Sequence, residues 1–122
     1  MKKSLIAGML LSGLLSGAVF AADAQKFTGV LIDAKCGAKP AKDANPEQAA
    51  AKHPKACVIK CGKDGDMTLI SGKDVLKLDD ASKTKALDYL AKAENTKVTI
   101  EGTKDGDTLK IDKIEAAKPD AK

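Results

Sequence analysis

The hydrophobic and polar positions of this chain change period several times, and each change marks an element. Lys26 to Asp33 (KFTGVLID) is rich in β-branched and aromatic residues and predicts a strand. Gly29 inside it marks a bulge or a close backbone approach. Ala34 to Asn45 carries Gly37, Pro40 and many Ala and Lys, which predicts a loop. Asn45-Pro46-Glu47-Gln48 is a helix start, with Asn45 as cap, Pro46 at the first position and Gln48 completing a capping box. That helix cannot run through Pro54, because a residue before proline is biased to extended geometry. A second short helix is expected from Pro54 to Cys61, closed by Gly62.

Beyond Lys63 the period becomes shorter. Met67 to Ile70 and Val75 to Leu78 predict two strands around a Ser71-Gly72-Lys73-Asp74 turn. Asp79 or Asp80 caps a helix over about 81–94 with an apolar stripe of Ala86, Leu87, Leu90 and Ala91. Lys97 to Gly102 alternates strictly, with Val98 and Ile100 inward. Thr108 to Ile111 follows with Leu109 and Ile111 inward, and Ile114 falls out of phase. The tail from Ala116 is polar. Lys63-Asp64-Gly65-Asp66 and Lys104-Asp105-Gly106-Asp107 repeat, and both are expected to be Asp-Gly turns, since the oxygens and closing Glu of a calcium loop are missing.

The resulting order is strand, Cys-containing helical insert, strand, strand, helix, strand, strand. It predicts a mainly β domain, a small five-stranded OB-like barrel with its main helix between the third and fourth strands. An open α+β sandwich of the same strands is the runner-up. Expected core residues are Phe27, Val30, Leu31, Ile32, Val58, Ile59, Leu69, Ile70, Val75, Leu76, Leu78, Leu87, Leu90, Val98, Ile100, Leu109, Ile111 and Ile114.

The first segment follows a different logic. Lys2 and Lys3 precede an apolar, charge-free run from Leu5 to Val19, and Val19-Phe20-Ala21 supplies small residues for cleavage. This is the pattern of a secretory signal peptide over 1–21, cut after Ala21 or, alternatively, after Ala24. The run is shorter than the roughly 20 residues needed to span a bilayer. The expected organisation is a signal peptide over 1–21, one domain over 22–115 and a polar tail over 116–122. The expected location is periplasmic or extracellular, without membrane insertion after cleavage.

Composition narrows the function classes. The 122 residues include one His, three Cys, one Tyr, two Phe and no Trp, with a formal net charge of +4. Removing Lys2 and Lys3 with the leader lowers that charge to about +2, and the remaining charges are interspersed. There is no basic block and no Arg, so the phosphate and guanine contacts of nucleic-acid binding are not expected. Phe27 and Tyr89 read as core or core flank, which leaves no aromatic platform for stacking on bases or sugars. No Ser/His/Asp set, P-loop, dinucleotide fingerprint or C-x-x-C motif occurs, so the chain is not expected to be an enzyme.

One constellation carries chemistry. Cys36, His53, Cys57 and Cys61 comprise every Cys and the only His. On a helix from Pro54, Cys57 and Cys61 share a face, with His53 one turn before Cys57. Three thiols and an imidazole are competent for zinc, and soft thiolates also suit Cu(I). The competing reading is a disulfide, Cys36–Cys57 or Cys36–Cys61, that pins the insert to the first strand and leaves one thiol. A Cys57–Cys61 bridge is disfavoured by helical geometry. If one thiol is reactive it should be Cys57, nearer its helix N-terminus. Asp33, Asp79 and Asp80 read as caps and turns only.

The opening Phe27-Thr28-Gly29-Val30-Leu31-Ile32-Asp33 with Cys36-Gly37 is followed by His53, Cys57 and Cys61, by Leu69-Ile70 and Val75-Leu76-Lys77-Leu78-Asp79, and by Lys97-Val98-Thr99-Ile100-Glu101-Gly102-Thr103. This pattern resembles a group of small secreted bacterial proteins of unknown function. The resemblance implies an OB-like barrel and an exported location, and no activity. The expectation is thus an exported OB-like binding module holding copper or zinc through Cys36, His53, Cys57 and Cys61. The alternative is a disulfide-stapled structural or partner-binding envelope protein with no metal.

Overall fold

The computed structural model describes residues 24–117. The signal peptide expected over 1–21 lies outside the described residues, as does most of the expected tail. The elements in chain order are β1 (Gln25–Asp33), α1 (Ala34–Gly37), a 3-10 turn (Pro40–Lys42), α2 (Pro46–Ala51), α3 (Lys55–Asp64), β2 (Met67–Ser71), β3 (Asp74–Leu78), α4 (Asp80–Lys92), β4 (Lys97–Asp105) and β5 (Thr108–Ala116).

β1 is shared between two neighbours. Its first half pairs antiparallel with β4, from Gln25↔Gly102 to Val30↔Lys97, and its second half with β2, from Val30↔Ile70 to Asp33↔Met67. The exchange occurs beside Gly29, where a Cβ would overlap the carbonyl oxygen of Ile70. The strand order β1-β2-β3-β5-β4 returns to β1, so the sheet closes on itself. Closure is uneven. β4 and β5 pair along their whole length, whereas β3 meets β5 in parallel only at Lys77↔Thr108 and Leu78↔Leu109.

The expected mainly β class is corrected here. Helical and strand residues are about equal in number, and the domain is a mixed α/β fold built on a curled five-stranded sheet with a short parallel seam. The Ala34–Asn45 loop holds α1 and the 3-10 turn, elements too short to display a period. Asn45 makes no side-chain cap on α2. Instead Glu47 ties α2 to the β2–β3 hairpin, accepting from Gly72 N–H at 2.8 Å, with Lys97 Nζ at 3.9 Å. α3 runs past Gly62 to Asp64. Gly62 is internal because a Cβ there would collide with Met67 Sδ.

The core gathers Val30, Leu31, Ile32, Val58, Met67, Leu69, Ile70, Leu90, Val98, Ile100, Leu109 and Ile111, all fully buried. Phe27, Ile59, Leu87 and Ile114 pack at its edge, while Val75 is 39% exposed and leaves the expected core. Ile114 returns to face Ile100 because the β4–β5 register shifts between Glu101 and Gly102. The two KDGD segments part company. Gly106 (φ 59°) turns the β4–β5 hairpin, whereas Gly65 ends α3 in extended geometry.

α4 begins where Asp79 Oδ1 accepts from Ser82 N–H at 2.8 Å. Ser82 Oγ in turn accepts from Ile111 N–H at 2.7 Å, which anchors the helix to β5. Ser82, Ala86 and Leu90 form its buried stripe.

The hydrogen bonds from Ser82 hold the Asp79 carboxyl below the usual carboxylate range. A carboxyl lowered in the folded state stabilises the fold at neutral pH, and this contribution is lost as pH falls through the folded pKa. Asp79→Ala should lower stability by about 1 kcal/mol at neutral pH. In urea titrations the gap to the wild type should close as pH falls below about 4. Gly29→Ala should cost about 1–3 kcal/mol by forcing β1 away from β2, which thermal denaturation would read directly.

Candidate metal centre

The centre forms where β1 ends. Asp33 is the last residue of β1 and the cap of α1, and it is 1% exposed. Its Oδ2 accepts from Cys36 N–H at 2.9 Å. An N-cap carboxylate oxygen must lie beside the backbone of the third helical residue. Here that residue is a cysteine, so the cap brings a carboxylate and a thiol together. The α1 backbone sits close over β1, where a Cβ on Gly37 would be 2.9 Å from Ile32 Cγ2.

His53 arrives from the other side. It follows α2, its N–H donating to Ala50 O at 3.0 Å, and Pro54 then starts α3 in extended geometry. One donor atom from each of Asp33, Cys36 and His53 lies within 4.8 Å of the other two. Asp33 Oδ1 and His53 Nε2 are both buried and have no hydrogen-bond partner. Such atoms normally find a partner, water or an ion, because an unpaired buried polar group costs about 1–3 kcal/mol. These three residues are able to coordinate a metal ion.

The four residues expected to act together are divided. Cys36 and His53 meet, and Asp33 joins them. Cys61, on α3, is close enough to the Cys36 thiol to disfavour its ionisation. Cys57 is exposed on α3. This corrects the expected binding module with a thiol-rich Cys/His cluster: the donor set is one carboxylate, one thiol and one imidazole, beside a close Cys36–Cys61 pair. All three cysteines are free thiols in this structure. By sequence alone Asp33 reads only as a cap. The signal that could have revealed it is its three-residue spacing to Cys36, which a simple cap also satisfies.

Partial burial pushes the Cys36 thiol up to about 11, with the hydrogen bond to Asp33, the Asp33 charge and the Cys61 thiol acting in the same direction. Two clefts flank the group. One, of about 520 Å³, is lined by Lys35, Cys36, Lys39, Asp43, Lys52 and His53 among others. The other, of about 400 Å³, is lined by Asp33, Lys35, Cys61, Asp64 and Asp66 among others. Asp33 therefore backs onto one cleft while Cys36 and His53 open onto the other.

Among the described residues, no helix is long and apolar enough to cross a membrane. Comparison with protein-family models, with curated proteins and with solved structures returned no match.

In metal-free, reduced protein, Cys57 should be alkylated fastest because it is exposed. Cys36 should remain slow at neutral pH and accelerate only toward about pH 11, as its thiolate forms. Peptide-resolved iodoacetamide labelling across pH checks this; equal rates for Cys36 and Cys57 at pH 7 would contradict it.

Proposed function

We propose that this domain is a small metal-binding protein whose site is Asp33, Cys36 and His53, and whose ion is a borderline divalent cation of the zinc type. The observation that carries the reading is the pair of partnerless buried atoms, Asp33 Oδ1 and His53 Nε2, beside the Cys36 thiol. A carboxylate oxygen is a hard ligand, a thiolate a soft one and an imidazole lies between them. That mixture suits zinc better than Cu(I), which favours thiolates. Asp33 and a Cys36 thiolate together carry two negative charges, which a divalent cation neutralises. Tetrahedral zinc places its ligand atoms about 3.3–3.8 Å apart. A small side-chain contraction from the present spacing reaches that range.

A second reading is favoured by the Cys36–Cys61 approach. Oxidation of the two thiols would give one disulfide, two protons and two electrons, the electrons passing to a thiol oxidase or a low-molecular-weight disulfide. The bridge would close a loop of about 25 residues and contribute about 3 kcal/mol. The domain would then be a stapled structural or partner-binding protein. Export, expected from residues 1–21, would favour this state. The two readings exclude one another at any moment, because both use Cys36.

Purified, reduced, metal-free protein titrated with Zn(II) should bind one equivalent, read by native mass spectrometry. Asp33→Asn, which keeps a capping oxygen, and His53→Ala should each weaken binding by at least about tenfold. Cys36→Ser should weaken it further, and Cys57→Ser should leave it unchanged. Retained affinity in both Asp33→Asn and His53→Ala would overturn the metal reading. A native protein two hydrogens light, with Cys57 alone alkylated and no metal bound, would establish the stapled one.

A further inference from the structure

We propose that the cleft outside Cys36 and His53 is an oxyanion site, in which Lys35, Lys39 and Lys52 draw a small carboxylate or phosphate onto the open coordination position of the metal. The inference rests on the metal reading and names the class of ligand that the same site would take.

The three lysines come from separate elements. Lys35 lies in α1, Lys39 immediately precedes the 3-10 turn, and Lys52 ends α2. Lysines are interspersed along the whole chain, so their convergence on one cleft comes from the fold. None of the three forms an ion pair within 4.0 Å among the described residues. Other lysines do: Lys26 with Glu101, Lys77 with Asp66 and Lys113 with Glu115. The only carboxylate lining this cleft is Asp43, which accepts from Asn45 N–H at 3.0 Å. The cleft therefore holds three cations against one anion.

The placement of the donors gives the direction. Asp33 lines the opposite cleft, whereas Cys36 and His53 face the lysines. An ion held by only these three protein ligands would keep a fourth position for an exogenous ligand, as in three-ligand zinc sites. A ligand entering from the lysine-lined cleft would meet Cys36 and His53, whereas Asp33 lines the other cleft. Asp33 and a Cys36 thiolate already neutralise a divalent ion. The lysines are then surplus positive charge, free to compensate an incoming anion. A volume of about 520 Å³ admits a small molecule, and Pro40 and Ala49 give it an apolar wall.

The test uses reduced protein loaded with Co(II), whose visible bands report coordination, with acetate and inorganic phosphate as probes. Either anion should change the bands saturably, and added chloride salt should weaken the effect. In Lys39→Gln/Lys52→Gln protein the half-saturating anion concentration should rise at least about fivefold, while Co(II) affinity stays unchanged. Co(II) binding with bands insensitive to both anions would overturn this inference and leave the metal reading standing. An anion response unchanged in the double variant would likewise remove the lysines' role and overturn it. Failure of Co(II) and Zn(II) to bind at all would overturn both.

Discussion

Strand β1 has to serve two neighbours within nine residues, and the rest of the domain depends on how it does so. Its first half belongs to β4 and its second to β2, so the strand must bend where the partners change. A side chain at that point would push into the Ile70 carbonyl, and Gly29 removes the obstacle. Beyond the bend, Val30, Leu31, Ile32 and Asp33 are all buried on consecutive positions. A strand covered on both faces has no solvent side on which to place a polar residue. The carboxylate of Asp33 is therefore carried into the interior by the same bend that lets the sheet close.

A buried carboxylate is tolerated only where its oxygens find partners. α1 supplies one, the Cys36 N–H, because the chain turns into a helix immediately after Asp33. The second oxygen finds none, and the nearby His53 Nε2 is left in the same state. Two unpaired buried atoms in one place form a local concentration of cost in a small domain, and each is worth about 1–3 kcal/mol. A hydrogen bond elsewhere in the fold could not relieve them, since both lie where α1 and the α2–α3 junction meet. A cation shared among Asp33, Cys36 and His53 would relieve both together. That economy favours an ion over independent solvation of each atom.

The elements with a clear period were legible in the sequence. The alternation of Lys97 to Gly102, the capped helix after Asp79 and the break before Pro54 all reflect local chemistry that tertiary contacts leave intact. Elements of three or four residues, α1 and the Pro40–Lys42 turn, have no period to read. The mainly β expectation came from weighing the five strands above α2, α3 and α4, whose helical patterns the sequence does show. Val75 looked like core because alternation alone does not say which face of β3 is covered. The division of the cysteines depended on which face of α3 turns inward. Val58 and Gly62 form that face. Cys61 lies about 80° from its centre and Cys57 about 120°, so one is half-buried and the other exposed. Their four-residue spacing, which puts both on one side of the helix, could not distinguish them.

Cys36 is the point at which these constraints become a choice. Asp33 holds its backbone, burial together with the Asp33 carboxylate keeps its thiol protonated, and Cys61 lies nearby on α3. A metal ion reverses the effect of Asp33, because the carboxylate that disfavours a lone thiolate becomes its co-ligand once a cation lies between them. A disulfide removes the same sulfur from the ion and leaves Asp33 and His53 with their unpaired atoms. The stapled state thus gains chain constraint but retains the local cost, whereas the metal state removes the cost and leaves α3 untethered. The balance between them is set outside the fold, by free metal and by the oxidant available to two neighbouring thiols.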